Sequence, residues 1–225
     1  MPSSRSRIAA FFDVDRTVLR VNSGTLWMKY LHKRGEIGRL ELARAGVWAV
    51  LYKLAVLDMD TLARRLVADL KGQSVDEMLA KADAWWHEEV RATIAPAALA
   101  AIDEHKARGE LCVLLTGGTQ FVAEPLMREL HLDAALCSRI ESAGGRFTGR
   151  FIEPLCFGHG KIHWAEQWAE EHSVDLARSS FYTDSYNDLP MLERVGSPVV
   201  VNPDVRLGRL ARRRGWPIHH WGAIS

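Results

Sequence analysis

The chain carries two kinds of apolar pattern. The runs Ile8-Ala9-Ala10-Phe11-Phe12 and Leu111-Cys112-Val113-Leu114-Leu115 have no polar residue among the apolar ones, which reads as strands buried on both faces of a parallel sheet. Shorter segments at 134–140, 179–183, 199–201 and Ile218 extend the set, with a helix expected over 96–108. One long stretch breaks the alternation of strand and helix. From Asn22 to about Arg91 the spacing is helical throughout, in segments 25–33, 40–57, 60–71 and 74–91. Ser74 with Glu77 makes a capping box, Asp60 is placed to cap the helix before it, and Gly144-Gly145 suits a hairpin turn. The pattern predicts an α/β fold: a doubly wound, mostly parallel sheet built from 1–21 and 92–225, with 22–91 inserted as an all-helical unit.

Composition changes this picture little. At 225 residues, the chain can bury one good core plus a modest insertion. A net charge of +1 offers no electrostatic case for nucleic acid. Cys112, Cys137 and Cys156 are odd in number and widely spaced, so buried free thiols in a reducing, cytoplasmic compartment are expected rather than disulfides. The N-terminal Met1-Pro2-Ser3-Ser4-Arg5-Ser6-Arg7 precedes only a short apolar run needed as a core strand, so no secretory signal is expected.

The candidate chemistry sits where the apolar runs end. Asp13-Val14-Asp15-Arg16-Thr17 follows the first run directly. In an extended chain residues two apart project to one side, so Asp13 and Asp15 converge unless the backbone turns sharply. Two like charges about 4 Å apart repel by ~4 kcal/mol at an effective dielectric near 20, which calls for a bound oxygen-seeking cation, a shared proton, or both. The plainer alternative is that the acids cap the next helix, with Thr17 or Asn22 as further caps. Thr116-Gly117-Gly118-Thr119 closes the second run, joining a hydroxyl to glycine-freed backbone N–H groups at a helix start, which is anion-binding chemistry. Lys161 follows near the start of a helical stretch. Phe181-Tyr182-Thr183 then leads into a second acid cluster, Asp184-Ser185-Tyr186-Asn187-Asp188.

These four elements in this order resemble the haloacid dehalogenase (HAD) superfamily, specifically its phosphoserine-phosphatase-like branch, subfamily IB. Gly145-Arg146-Phe147-Thr148-Gly149 and Val199-Val200-Val201-Asn202-Pro203 carry the resemblance over nearly the whole chain. It implies a Mg²⁺-dependent phosphomonoester hydrolase acting on a small phosphorylated metabolite through an aspartyl-phosphate. Asp13 would be the nucleophile and Asp15 the general acid and base. Thr116, the Gly117 backbone, Lys161 and Asn187 would hold the phosphate. Asp13, the Asp15 carbonyl and Asp184 would hold Mg²⁺, with Asp188 orienting metal-bound water and Lys161. The helical insertion, 22–91, would be a C1-type cap domain whose loops close over the substrate. The second Asp of the first motif speaks against dehalogenase chemistry. A membrane-surface lipid phosphate phosphatase, a phosphotransferase and a catalytically silent binding protein on the same fold are the alternatives.

The cap is where substrate choice is expected to lie. Phosphoserine phosphatases carry a Glu nine positions after the nucleophile that recognises the substrate ammonium, whereas Asn22 stands at that register here. O-phosphoserine is therefore expected to be a poor substrate. Arg16 and Arg20 read as solvated loop charges, with an anionic substrate tail as the alternative partner. The apolar segment 43–57 is interrupted by Arg44 and Lys53 and falls short of the ~20 residues that span a bilayer. It is read as a packed cap helix, with a homodimer contact or an interfacial membrane helix as alternatives, and no stable membrane insertion is expected. His159 and His163, spaced i, i+4, lack a nearby third ligand for zinc. Arg212-Arg213-Arg214 reads as a solvated helix end, and Trp85-Trp86 as cap core.

Overall fold

The computed structural model describes residues 6–40, Ala43, Val47 and 59–222. Apart from Ala43 and Val47, the apolar segment 43–57 lies outside the described residues, and with it the expected packing, dimer and membrane roles.

Six strands form one parallel sheet: β1 (Ala9–Phe12), β2 (Leu111–Thr119), β3 (Ala134–Ser138), β6 (Ser180–Thr183), β7 (Ser197–Val201) and β8 (Ile218–His219). Their spatial order is β3-β2-β1-β6-β7-β8. The chain builds outward from β1 in one direction, then returns to β1's other side and builds the opposite way. Clefts that bind ligands in such sheets open at that reversal, beyond the carboxyl ends of the strands. Alternate residues of the strands feed separate cores. Ala10, Phe12, Cys112 and Leu114 face one side, packing with α4 (Pro96–Ala107) and with Trp85, Trp86 and Val90. Ala9, Phe11, Val113 and Leu115 face the other, beneath α6 (His159–Glu171), α7 (Leu189–Arg194) and α8 (Val205–Arg214). Both faces are dry, which is why these strands show no polar alternation in the sequence. All three cysteines are buried free thiols.

The inserted stretch contains α1 (Ser23–Lys33), α2 (Met59–Ala68) and α3 (Val75–Trp85), the last continuing through a wider helical turn, Trp86–Val90, and a 3₁₀ turn, Arg91–Thr93. Ser74 Oγ accepts from the Glu77 amide at 3.3 Å, as the capping box requires. Asp60 lies inside α2, not ahead of it, and pairs with Arg64 one turn on. Trp85 and Trp86 are each only 3% exposed and join the core under β1, so they anchor the base of the insertion.

A separate hairpin, β4 (Ile140–Ala143) and β5 (Arg146–Phe151), turns at Gly144-Gly145, whose φ values of 56° and 72° suit glycine. Its tip is bonded to the insertion. The Gly72 amide donates to the Phe147 carbonyl at 2.9 Å, Val75 to Gly145 at 3.0 Å, and Phe147 to Gln73 at 3.1 Å. Val67 and Met78 from the insertion share a small core with Ile140, Phe147 and Phe151 of the hairpin. α5 (Gln120–Glu129) connects β2 to β3, ahead of the hairpin in the chain. Among the described residues no helix is long and apolar enough to cross a membrane.

Candidate active site

Parallel register brings the three strand-exit motifs together. Phe12 pairs with Leu114 of β2 and with Tyr182 of β6. Asp13 therefore leaves the sheet beside Leu115 and Thr183, with Thr116 and Asp184 one residue further on the flanking strands, about 4.8 Å away on either side by strand spacing. The Asp13 amide still donates to the Tyr182 carbonyl at 2.9 Å, which fixes the first acid to the sheet edge. Tyr182 stacks on Phe12 with centroids 4.7 Å apart and bonds His105 Nε2 through its hydroxyl at 2.8 Å.

Beyond Asp13 the chain turns sharply. Arg16 has φ of 58°, unusual for a residue with a Cβ, and its carbonyl accepts from Asn202 Nδ2 at 2.7 Å. This turn keeps the two acids of the first motif from crowding one point. Asp13 Oδ1 accepts from Lys161 Nζ at 2.7 Å, whereas Asp15 accepts from the Ser23 amide at Oδ1 and from Asn22 Nδ2 at Oδ2, both at 2.9 Å. Asn22 also caps α1, accepting from the Thr25 amide at 2.9 Å. Thr17 caps nothing: its hydroxyl is buried without a partner.

Lys161 is the hub. It reaches the site from the first turn of α6, where Gly158 adopts φ of 52° and Gly160 lies so close to Leu155 that a Cβ would meet the Leu155 carbonyl oxygen at 1.7 Å. Only glycine fits there. Lys161 Nζ donates at 2.7 Å to both Asp13 Oδ1 and Asp188 Oδ2, and Thr183 Oγ1 donates to that same Asp188 oxygen at 2.6 Å. Asp13, Lys161, Thr183 and Asp188 are all buried. Burial opposes the lysine's charge, but the Asp13 and Asp188 carboxylates outweigh it and hold Lys161 above its ordinary range. Burial also pushes Asp13 up, against the pull of Lys161. Asp184 rises to about 8, through burial first and then the nearby charges of Asp13, Asp188 and Asp15.

The Thr116 loop departs from regular strand. Thr116 pairs with Cys137 but Thr119 with the adjacent Ser138, so Gly117 and Gly118 bulge out of β2. The Gly118 amide donates to Thr116 Oγ1 at 3.0 Å, tightening the bulge at the N-terminus of α5. Asn187 is exposed in the 3₁₀ turn Tyr186–Asp188, one residue before Asp188.

The donor set suits a hard divalent cation. The carboxylates of Asp13 and Asp184 and the Asp15 carbonyl are all oxygens, and a cation would offset both the burial and the neighbouring negative charges that lift Asp184. Among the described residues no three His, Cys, Asp or Glu side chains form a ready-made cage. Two carboxylates and a carbonyl leave room for water and substrate oxygens, the arrangement Mg²⁺ favours. His159 and His163 are exposed on α6.

Sequence patterns did not single out three supports. Thr183 was visible only as a strand-end hydroxyl, Asn202 only as part of a motif run, and Ser23 acts through its backbone. Arg20, read as a solvated charge, is half-buried and donates to the Ala92 carbonyl at 3.1 Å, tying the first motif loop to the end of the insertion.

A doubly wound sheet with acids at its switch point, one of them bridged to a buried lysine, defines a strand-exit aspartate site on a Rossmann-like α/β core. The haloacid dehalogenase-like hydrolase family model matches residues 10–193, and the chain belongs to that family, among its phosphoserine-phosphatase-like phosphatases. It is 35% identical over 216 residues to phosphoserine phosphatase SerB1 of Mycobacterium tuberculosis, covering 93% of this chain and 70% of that protein. It is 29% identical over 214 residues to a histidinol-phosphatase of Neisseria meningitidis, covering 93% of this chain and 96% of the relative. A crystal structure of a protein of unknown function from Bordetella pertussis Tohama I superposes with a TM-score of 0.86 at 30% identity, covering 95% of this chain and 98% of the other.

Proposed function

We propose that this chain is a Mg²⁺-dependent phosphomonoesterase of small phosphorylated metabolites, working through a phosphoryl group carried on Asp13. The observation that carries the reading is the buried Asp13–Lys161–Asp188 bridge at the exit of β1. A carboxylate attacks a phosphate dianion only when its surroundings neutralise charge. Lys161 supplies one positive charge at the attacking oxygen's own carboxylate, held in place by Asp188 and Thr183. Mg²⁺, bound by Asp13, the Asp15 carbonyl and Asp184, would supply the remaining charge neutralisation. The Thr116 hydroxyl, the Gly117 backbone and Asn187 orient the other phosphate oxygens. Asp15 protonates the leaving oxygen, then takes a proton from the water that releases phosphate from Asp13. Its carboxyl is raised by burial, which favours holding a proton, against the opposing bonds from Ser23.

The insertion, 22–91, acts as the cap, with 1–21 and 92–225 as the core. Three buried thiols suit a reducing, cytoplasmic setting. Asn22 presents no carboxylate to a substrate ammonium and is engaged with Asp15 instead. Neutral sugar and polyol phosphates should therefore be turned over with higher kcat/KM than O-phosphoserine.

The test is a panel of these esters with O-phosphoserine and choline and histidinol phosphates, with Mg²⁺, with Ca²⁺ and after chelation. Turnover with Mg²⁺ that is lost on chelation, weak with Ca²⁺ and abolished by Asp13→Asn supports the reading. Full activity after exhaustive chelation, or an active Asp13→Asn protein, overturns it. O-phosphoserine at the head of the panel would overturn the substrate preference alone.

A further inference from the structure

We propose that Asn22 is a positioning residue for Asp15, fixing the general acid to the first helix of the insertion; this rests on the reading of Asp15 given above. Both ends of the Asn22 amide are engaged, and in different tasks. Its Oδ1 accepts from the Thr25 amide at 2.9 Å and from Thr25 Oγ1 at 3.0 Å, while its Nδ2 donates to Asp15 Oδ2 at 2.9 Å. The cap determines which way the amide points: with the oxygen turned to Thr25, the nitrogen must face Asp15. The neighbouring Ser23 amide grips the other carboxyl oxygen at 2.9 Å. Asp15 is thus held by two consecutive residues at the start of α1, and by none of the groups that bind Asp13.

Residue chemistry singles out asparagine. Ser, Thr, Asp and Asn all cap helices well, so capping alone would admit any of them. Asp has no donor and would set a second carboxylate against Asp15, while Ser is too short to span the helix start and the carboxyl as an amide does. The Asn22 amide takes one lone pair of Asp15 Oδ2 and leaves the other direction for a proton aimed at the leaving oxygen. α1 is itself braced on the rest of the insertion, with Trp27 edge-on to Trp85 and Lys33 paired with Glu89. The placement of the acid therefore follows the placement of this helix.

Asn22→Asp and Asn22→Ser keep a helix cap and remove the amide donor, so they separate positioning from capping. On an alkyl phosphate both should lower kcat by about ten- to a hundredfold, within the range general acids contribute. KM should change little, and an aryl phosphate with a good leaving group should suffer less because it needs less protonation. Thermal melts of both variants should stay close to the unsubstituted protein. Asp15→Asn, measured alongside, should show the same ester dependence more strongly. If Asp15→Asn behaves so and both Asn22 variants keep unchanged kcat on both esters, Asn22 is a helix cap only and the proposal falls. A rise in KM with kcat preserved would make it a substrate contact and overturn the proposal equally. An Asp15→Asn protein fully active on the alkyl ester would overturn the underlying reading, and this proposal with it.

Discussion

Lys161 is 2% exposed and donates to two carboxylates, Asp13 and Asp188, that have few other means of balancing their charge. Removing one member of such a buried set leaves the others uncompensated, at a cost of about 3–5 kcal/mol. Lys161→Met keeps the side-chain volume but deletes the charge. It should abolish turnover and lower unfolding free energy by that amount at pH 8. At pH 5 the loss should be smaller, because Asp13, already pushed up by burial, can then take a proton and shed its charge. Denaturant titrations of both proteins at the two pH values check this. An equal loss at both would mean that lysine's packing against Phe181, whose ring centroid lies 5.4 Å from Nζ, outweighs its charge.

The hairpin β4–β5 couples core and insertion through backbone bonds. Gly72, Val75 and Phe147 donate across the junction, Arg146 reaches the Gly72 carbonyl at 2.7 Å, and Arg64 of α2 pairs with Glu153 just past β5. If these bonds persist in solution, the amides of Gly72 and Val75 should exchange hydrogen as slowly as the hairpin's own cross-strand amides. Fast exchange of Gly72 and Val75 beside a protected hairpin would mean that α2 and α3 detach from it. This junction could not be read in the sequence, because main-chain pairing over some seventy residues leaves no side-chain signature. The strands could be read, since burial on both faces imposes the runs at Ile8–Phe12 and Leu111–Leu115. The sharp turn at Arg16 was hidden, because a positive φ there carries no glycine to announce it. Site chemistry fell between these cases. The spacing of Asp13 and Asp15 pointed to convergence, yet the turn sends Asp15 to the start of α1 and Asp13 to Lys161. Asp60 shows the same limit in miniature: a good capping residue type, drawn one position inside its helix and onto Arg64.

Across the molecule, the switch between β1 and β6 concentrates acids at one edge of an otherwise nearly neutral protein, and the fold bears the electrostatic strain. Asp184 is raised to about 8 by burial and by the charges of Asp13, Asp188 and Asp15, and Asp13 and Asp15 are raised mainly by burial. Such carboxylates keep protons in the folded state that the unfolded chain has already released above its ordinary carboxylate range, near 4. By linkage, the folded protein binds more protons than the unfolded chain between about pH 4 and pH 8. Stability should therefore fall as pH rises through that window, by at most about 1.4 kcal/mol per pH unit for each group. Glu36, Glu110, Glu141 and Glu153 are shifted the other way, but their contribution is complete once pH exceeds the ordinary glutamate range. Above pH 5 the buried site should dominate. Melting temperature in the absence of divalent cations should decline from pH 5 to pH 8, and saturating Mg²⁺ should raise it more at pH 8, where the ligands are deprotonated, than at pH 5. Asp184→Asn should flatten the decline and remove most of the Mg²⁺ effect. A cation-free melting temperature that climbs over this range, or an Asp184→Asn protein that responds to Mg²⁺ as strongly as the unsubstituted one, would show that the strain at the sheet edge is relieved by something other than a cation at Asp184.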